Sequence, residues 1–331
     1  MKAIQIFAFG GPEVLQYGEV STRPLQTGEV RVRAKAIGVG KPDVLVRKGI
    51  YRWQPPMPAI PGNELSGVVI EVADNGSADV KIGDRVLVSS RELTERGGCY
   101  AEEIIVPAQS VFHLPDTVSF IDAVTLANYQ LAGALLYESG IKTPKSLLIH
   151  GAAGGVATAV LQLAKLDGIT AIGTVSSNEK KIFAEAAGGQ FIFNRNTDDI
   201  QECVFEVTSG AGVDLVLDHV GGPHFSRNMS YLAPLGVLLS YNIMGGLPDD
   251  NLLGAMRSLG AVSPAIRCFT IHTLDAFPMV RRALMIRAID LAADKKISPP
   301  AANIFSLSNA IEAHELLDSG DFLGKIVLIP E

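Results

Sequence analysis

The chain has 331 residues, of which 47% are apolar, 33 are glycine and 19% are charged. This length is enough for two domains with a core each, and the composition is that of a globular α/β enzyme, which excludes a disordered or fibrous chain. The formal net charge of −7, without a long basic run, excludes a dedicated nucleic-acid-binding protein, because neutralising phosphates requires clustered Lys and Arg.

The N-terminal segment begins at once with strand-like alternation and has neither an apolar signal core nor an Arg- and Ser-rich leader. The longest apolar stretches, 126–137 and 147–163, contain Asn, Gln, His or paired glycines and fall short of an uninterrupted membrane span. Cys99, Cys203 and Cys268 are dispersed, in no CxxC arrangement, and predict neither a disulfide framework nor a zinc cage. We therefore expect a cytoplasmic protein without a membrane segment.

Residues 1–118 are predicted to form a β-rich domain. Short segments of alternating apolar and polar residues recur between turn signals, and this spacing is typical of a β-barrel-like fold. The clearest predicted strands lie at 28–40, 66–76, 82–90 and 99–107.

From about Asp122 to Leu259 the pattern changes to helices that alternate with apolar strands. This alternation predicts a doubly wound parallel sheet with right-handed crossovers. The helices are predicted at 122–139, 155–168, 178–189, 198–210 and 224–236, and the strands at 146–151, 170–176, 190–195, 213–221 and 237–242. The tail from about Pro264 is predicted to hold helices at 279–296 and around 307–320, and a last strand at 325–330.

The turn between the strand at 146–151 and the next helix carries the pattern Gly151-x-x-Gly154-x-x-Ala157. In this strand–turn–helix context the pattern indicates dinucleotide binding, because the glycines allow a tight turn and a close approach of the backbone to the pyrophosphate. The helix N-terminus adds N–H donors and a partial positive charge. The alternative is an ordinary tight corner. The expected cofactor contacts of this turn are Gly151, Ala152, Gly154, Gly155 and Val156.

The end of the second strand distinguishes the two nicotinamide cofactors. NAD sites place an Asp or Glu there for the ribose 2′-hydroxyl, whereas this strand ends in TVSSNEKK. Ser176, Ser177 and Lys180 offer hydroxyls and a cation for a 2′-phosphate, and Arg195 at the end of the third strand flanks them. Ser177 or Asn178 also suits a helix cap, and both roles can hold together. The sequence therefore predicts NADPH as the cofactor.

These features are accompanied by motifs of one family. The chain resembles zinc-independent medium-chain dehydrogenases/reductases of the quinone oxidoreductase (zeta-crystallin-like) and 2-enoyl thioester reductase group, over essentially its whole length. The motifs are GPEVLQYGEV at 11–20, DVLVRKGIY at 43–51, PGNELSG at 61–67, VKIGDRV at 80–86, HGAAGGVA at 150–157, DHVGG at 218–222 and GKIVLIP at 324–330.

The resemblance implies a domain arrangement and an assembly. A GroES-like β-barrel catalytic domain would be built from residues 1–118 and 265–331, with a Rossmann NADPH-binding domain inserted at 119–264. NADPH would lie in the cleft, and the protein would form a homodimer. Val220, Gly221, Ser240, Tyr241 and Asn242, at later strand ends, would face the nicotinamide, and Lys325 would approach the cofactor.

Zinc-dependent relatives carry a Cys and a His in two motifs that differ in this chain. The first motif is GVGKPD and the second is PGNE, with Asn63 in place of the His. The four-cysteine lobe for structural zinc is also missing, and the six histidines have no ligand spacing. We therefore expect no metal.

Without a Lewis acid, the expected reaction is hydride delivery to an activated small-molecule acceptor: a quinone, an enone or an enoyl thioester. Tyr51 is the first candidate for the group that donates a hydrogen bond or proton to the developing negative oxygen. The alternative is that Tyr51 packs beside Trp53. Lys41 and Asn63 are further catalytic candidates, and the remaining candidate donors are Tyr129 and Tyr241.

The acceptor stays open, because the family pattern is mixed. Gly40 stands where quinone reductases usually have Asn, Leu131 stands where they have Thr, and Asn128 resembles the enoyl reductases. A zinc alcohol dehydrogenase is disfavoured by the missing ligands, and a non-catalytic NADPH-binding protein is disfavoured by the intact 43–51 segment.

Overall fold

The computed structural model describes residues 1–73, 79–141, 144–249 and 251–331. The chain divides into two compact units. Unit 1 consists of Met1–Ala127, Ile289–Ala293 and Ala301–Glu331, and unit 2 consists of Asn128–Ala288 and Asp294–Pro300. Residues 119–127 thus lie in unit 1 and 265–288 in unit 2, which differs from the boundaries expected from the sequence.

The first half of the chain is β-rich, as predicted. Its elements are β1 (Lys2–Gln5), β2 (Gln16–Glu19), β3 (Glu29–Val39), α1 (Lys41–Arg47), β4 (Glu64–Val72), β5 (Arg85–Ser89), β6 (Glu103–Pro107), β7 (Phe112–His113), α2 (Phe120–Ala123) and α3 (Leu126–Tyr137). The last three residues of the strand predicted at 66–76, residues 74–76, lie outside the described residues.

The second half alternates between strands and helices. Its elements are β8 (Ser146–His150), α4 (Gly155–Leu166), β9 (Thr170–Val175), α5 (Asn178–Ala186), β10 (Phe191–Asn194), α6 (Ile200–Val207), β11 (Val213–Asp218), β12 (Leu232–Ser240), α7 (Leu252–Ser258), β13 (Ala265–Cys268), α8 (Pro278–Ala293), β14 (Ala302–Ser306), α9 (Ala310–Ser319) and β15 (Lys325–Ile329).

Unit 1 is built on a sheet in the order β14-β15-β3-β4-β5-β7, with β6 also paired to β3. The alternation along β3 buries Val30, Val32, Ala34 and Ala36 in the unit's core, which is the pattern of a half-buried strand. β15 pairs with the end of β3, so that Ile326 lies opposite Val39. The C-terminal tail therefore completes the N-terminal sheet, as the family resemblance implied.

Unit 2 holds a six-stranded sheet in the order β10-β9-β8-β11-β12-β13, and every adjacent pair in it is parallel. The chain proceeds from β8 outward to β10, then returns to β11 and continues outward to β13. The strand order therefore reverses between β8 and β11, and ligands of such sheets bind at the carboxyl ends beside this point. The predicted α/β class, a GroES-like unit with a doubly wound Rossmann unit, is confirmed.

One sequence prediction within unit 2 is wrong, and one strand was not predicted. The predicted helix at 224–236 is a 3₁₀ segment, Phe225–Tyr231, followed directly by β12. Pro234 cannot continue an α-helix, and Leu235 adopts a positive φ of 66°. β13 was not predicted; it pairs in parallel with β12, which adds residues 265–268 to the Rossmann sheet.

The helices around the predicted 122–139 segment also differ from the expectation. The segment divides into α2, capped by Ser119, and α3. Within unit 2, α3 packs against α8: Gln130 Nε2 donates to the carbonyl of Arg281 at 2.9 Å. This contact, with β13, explains why residues 265–288 belong to unit 2. No helix within the described ranges is long and apolar enough to cross a membrane.

Candidate functional site

The glycine turn of unit 2 has the conformation that a dinucleotide site requires. Gly151 adopts a positive φ of 66°, and its carbonyl accepts the N–H of Gly154 at 2.8 Å. α4 begins at Gly155, where a Cβ would lie 2.4 Å from Asn128 Nδ2. Because the first N–H groups of a helix have no intrahelical partner, this end of α4 offers donors to an anion.

The residues expected to bind a 2′-phosphate lie at and just after the ends of β9 and β10. Ser177 Oγ accepts the N–H of Lys180 at 3.2 Å and caps α5. The carbonyl of Ser176 accepts from Asn196 Nδ2 at 2.8 Å, and the N–H of Arg195 donates to the carbonyl of Val175 at 2.9 Å. Neighbouring strand ends thus bring Ser176, Ser177, Lys180 and Arg195 together, and the capping role of Ser177 is real.

A cavity of about 520 Å³ opens at the carboxyl ends of the unit 2 strands. Its lining includes His150, Thr174, Asp218 and Asn228, which follow one another in a hydrogen-bond chain. Asn228 Nδ2 donates to Asp218 Oδ2 at 2.6 Å, Asn228 Oδ1 lies 2.8 Å from His150 Nε2, and His150 Nδ1 lies 2.9 Å from Thr174 Oγ1.

The chain of bonds fixes the protonation of His150. Because Asn228 turns its amide nitrogen to Asp218, its oxygen faces His150, so Nε2 carries the proton and Nδ1 accepts from the Thr174 hydroxyl. Burial lowers the pKa of His150 and keeps the ring neutral. Sequence analysis missed these four residues; the available signal was that His150 and Asp218 end their strands and that Thr174 is the last residue but one of β9.

The carboxyl ends of β11 and β12 hold the residues expected at the nicotinamide. Asp218 Oδ1 accepts the N–H groups of Val220 and Gly221 at 2.5 and 3.1 Å. Ser240 Oγ donates to the carbonyl of Asn242 at 3.2 Å, so Ser240 and Asn242 stabilise the same turn.

Tyr241 lies beside a histidine that the sequence analysis did not single out. The ring centroids of Tyr241 and His219 are 5.7 Å apart. Burial raises the pKa of the Tyr241 phenol. Tyr129, an alternative proton donor, instead donates to Gln162 Oε1 at 3.0 Å inside unit 2, so its hydroxyl proton is already engaged.

Unit 1 contains a second polar centre, which is buried. Asp43 Oδ2 accepts the N–H of Gly40 at 2.8 Å, and Oδ1 accepts from Asn63 Nδ2 at 2.6 Å. Asn63 Oδ1 in turn accepts from the Ser90 hydroxyl at 2.6 Å. Asn63 therefore holds Asp43 and Ser90 in place. The sequence, which made Asn63 a catalytic candidate, did not predict this positioning role.

Lys325 lies in this same centre, since β15 starts beside the end of β3. Its ammonium is 3.7 Å from Glu64 Oε2, with side-chain exposures of only 8% and 6%. Burial, and then the charge of Glu64, raise the pKa of Asp43 to about 7, against the opposing effects of its hydrogen bonds and of Lys325. In unit 1 Lys325 thus acts as the counterion of a buried carboxylate.

Tyr51 lies near this centre, since the charges of Asp43 and Glu64 act on its phenol. The Tyr51 ring packs against the unit 1 core, with its centroid 5.6 Å from that of Trp53. Burial raises the pKa of Tyr51, so the phenol keeps its proton at neutral pH. Packing and a donor role are therefore compatible. Lys41 is the first residue of α1 and is half-buried.

Within the described ranges no group of three or more His, Cys, Asp or Glu side chains could hold a metal ion. Cys99 is buried, Cys203 is half-buried and Cys268 is exposed, and all three are free thiols.

Comparison with known proteins identifies the families and solved structures that this chain resembles. Residues 26–116 match the alcohol dehydrogenase GroES-like domain family, and residues 188–328 match the zinc-binding dehydrogenase family. The quinone oxidoreductase of Salmonella typhimurium is 32% identical, covering 99% of both chains. The synaptic vesicle membrane protein VAT-1 homolog of Mus musculus is 29% identical, over 100% of this chain and 84% of that protein. The quinone oxidoreductase of Escherichia coli complexed with NADPH superposes with a TM-score of 0.86 at 29% identity, covering 100% of both chains.

Proposed function

Because this chain belongs to the quinone oxidoreductase group of the medium-chain dehydrogenase/reductase superfamily, we propose that it is an NADPH-dependent reductase of activated acceptors. The acceptor class is a quinone, an enone or an enoyl thioester. The observation that carries the proposal is the group of Ser176, Ser177, Lys180 and Arg195 beside the glycine turn, at strand ends that lack the acid of an NAD site.

The residues of unit 2 fit NADPH. Gly151 has the positive φ of the turn, α4 presents its N-terminus, and the cavity of about 520 Å³ opens at the same sheet edge. The Escherichia coli relative binds NADPH. When bound, NADPH supplies a hydride from its nicotinamide ring. The residues at 151–156 and Lys180 would hold the phosphates, and those at 220 and 240–242 would border the nicotinamide.

The acceptor must gain a proton as well as a hydride. An enone, an enoyl thioester or a quinone develops negative charge on oxygen when hydride arrives, and a preorganised donor stabilises that charge. Tyr51 is the proposed donor, since burial raises the pKa of its phenol and keeps the proton on Oη. Asn63 and Lys41 are proposed to support the site, Asn63 through its bond to Asp43.

No metal is proposed in the reaction. Gly40 and Asn63 stand where zinc-dependent relatives carry Cys and His, and neither is a zinc ligand. We also propose that the protein is a cytoplasmic homodimer. Size-exclusion chromatography with light scattering would test the dimeric state.

The proposal is tested by turnover with NADPH against 1,4-benzoquinone, an α,β-unsaturated ketone and crotonyl-CoA, with NADH in parallel. We expect oxidation of NADPH by at least one acceptor, faster than oxidation of NADH. NADPH binding without turnover of any acceptor class would favour a non-catalytic NADPH-binding protein. Absence of both binding and turnover would overturn the proposal.

A further inference from the structure

A buried chain of hydrogen bonds in unit 1 leads from helix α9 to Asp43. Asp318 Oδ2 accepts from Arg47 Nη2 at 2.5 Å, and Arg47 Nη1 lies 3.4 Å from His314 Nδ1. His314 Nε2 lies 3.0 Å from the Tyr100 hydroxyl. That hydroxyl is in turn hydrogen-bonded to the Asp43 side chain. Arg47, Tyr100 and His314 are fully buried, so water does not compete for these bonds.

Arg47 determines which ring nitrogen of His314 carries the proton. A guanidinium has donors only, so Nδ1 of His314 accepts from Arg47. Burial, and then the charge of Arg47, lower the pKa of His314 to about 3, so the ring is neutral at physiological pH. Its one proton is therefore on Nε2, which donates to the oxygen of Tyr100.

The direction of these bonds fixes where Tyr100 sends its own proton. Because the Tyr100 oxygen accepts from His314, its hydroxyl proton is directed to the Asp43 side chain. Burial, and then the charge of Asp43, raise the pKa of the Tyr100 phenol, which therefore remains a donor. With the N–H of Gly40 and the amide of Asn63, Asp43 thus faces three donors.

Opposing charges act on Asp43 from the elements packed against α1. Glu64 on β4 disfavours its ionised form, and Lys325 on β15 favours it. Three further titratable groups that interact with Asp43 are kept neutral by burial: the side chains of Tyr51, Cys99 and Tyr100. Burial, and then the charge of Glu64, raise the pKa of Asp43 to about 7. The gain or loss of one donor therefore decides whether Asp43 is ionised at neutral pH.

An ionised Asp43 holds a second run of hydrogen bonds. Asn63 Nδ2 donates to Asp43 at 2.6 Å, and the Ser90 hydroxyl donates to Asn63 Oδ1 at 2.6 Å. The carbonyl of Ser90 accepts from Arg96 Nη1 at 3.2 Å. Protonation would turn one Asp43 oxygen into a donor that opposes the donors facing it. The carboxylate form therefore keeps this run in order as far as Arg96.

Arg96 connects this run to the proposed proton donor. Burial raises the pKa of Tyr51, and the charges of Arg91 and Arg96 oppose that rise. When Tyr51 gives its proton to the acceptor oxygen, a phenolate remains, and a cation held nearby stabilises it. Displacement of Arg96 would therefore weaken Tyr51 as a donor.

We propose that Tyr100 is a positioning residue of the reductase, whose hydroxyl, oriented by His314, donates to Asp43 and keeps this side chain a carboxylate. The carboxylate in turn holds Asn63. The consequence for turnover rests on the proposed function, because it takes Tyr51 as the proton donor. The bond from Tyr100 to Asp43 can be tested without it.

The experiment follows the ionisation of Asp43 by carbon-13 NMR of the full chain, labelled at the aspartate carboxyl carbons. The Asp43 signal is the one that titrates near neutral pH and is absent from Asp43→Asn. Tyr100→Phe removes only the hydroxyl. Tyr137→Phe is the matched control, since it removes a phenol that donates to Asp167 at 2.5 Å within unit 2. In parallel, kcat/KM for 1,4-benzoquinone and for crotonyl-CoA is measured against pH at saturating NADPH.

We expect Tyr100→Phe to raise the titration midpoint of Asp43 by about 1–2 pH units, the effect of one hydrogen bond to a charged group. Turnover that needs the carboxylate is complete above this midpoint and falls as the pH decreases through it. The acid limb of kcat/KM should therefore move to higher pH together with the midpoint. Tyr137→Phe should leave both the midpoint and the limb unchanged.

An unchanged Asp43 midpoint in Tyr100→Phe would overturn the proposal. A loss of kcat/KM by the same factor at every pH would do so as well, because it indicates a merely structural role. If Tyr100→Phe does not fold, nitrogen-15 NMR of His314 in the unmodified protein decides: a proton on Nε2 supports the proposed direction of the bonds, and a proton on Nδ1 refutes it. A shifted midpoint without turnover of any acceptor would confirm the bond to Asp43 and refute the proposed function.

Discussion

Gly151→Ala is a perturbation whose cost can be separated into two physical parts. A non-glycine residue at the positive φ of 66° costs about 1–2 kcal/mol. The new methyl would also lie 2.6 Å from His219 Cε1, whereas carbon atoms in contact are normally about 3.5–4.0 Å apart. The ring must therefore move by about 1 Å, and such overpacking typically costs about 1–3 kcal/mol.

Gly168→Ala is a matched control in the same unit. Gly168 has a φ of 70°, and among the described residues other than its chain neighbours no heavy atom would lie within 4 Å of a Cβ placed there. The two substitutions share the backbone strain and the loss of unfolded-state entropy, so their difference isolates the contact with His219. We expect Gly151→Ala to be about 1–3 kcal/mol less stable than Gly168→Ala, or roughly 2–12 °C lower in Tm for a domain of this size.

The assay is thermal unfolding of the apoprotein, followed by NADPH titration of each variant. A double variant, Gly151→Ala with His219→Ala, should recover most of the difference, since removing the ring removes the clash. Gly151→Ala should also weaken the binding of NADPH, whereas Gly168→Ala should leave the affinity for NADPH unchanged. Equal melting temperatures for the two glycine variants, or no recovery in the double variant, would refute the reasoning.

Four further outcomes are expected. Lys180→Ala should weaken NADPH but not NADH, and Lys181→Ala, whose ammonium lies 5.8 Å from the Phe193 ring centroid, should change neither; equal affinities of the unmodified protein for both cofactors would contradict the assignment. Tyr51→Phe should lower turnover of an enone or enoyl thioester about a hundredfold, and that of a quinone less, with NADPH affinity retained; full activity with both classes would make Tyr51 a packing residue. Elemental analysis should find no stoichiometric zinc, and chelators should leave turnover intact; one zinc per chain with chelator-sensitive activity would refute metal independence. Because burial lowers the pKa of His314 to about 3 from 6.5, its contribution to stability is present above pH 6.5 and is lost as the pH falls toward 3; thermal unfolding across this range should show a shallower loss for His314→Gln, and identical slopes would exclude the contribution of His314.

The sequence by itself determined those features that depend on neighbouring residues. The alternation along 29–36 predicts a half-buried strand, because successive side chains point to opposite faces. The turn at 151–157 predicts a nucleotide site, because a strand, spaced glycines and a helix start follow one another directly. The substitution of Ser176, Ser177 and Lys180 for an acid is likewise local, and it carries the NADPH prediction.

Tertiary structure alone decided which distant residues share a site. The sequence makes Asn63 a catalytic candidate, but only the fold shows that its amide bonds to both Asp43 and Ser90. The Tyr100 hydroxyl meets His314 Nε2 at 3.0 Å across 214 positions of sequence, and no periodicity records such a contact. Pairing of β13 with β12 moved the domain boundary, because a four-residue edge strand gains its stability from its neighbour and carries too weak a signal of its own. His219 illustrates the same limit: its ring lies against Gly151 because two adjacent parallel strands end together, although the two residues are 68 positions apart along the chain.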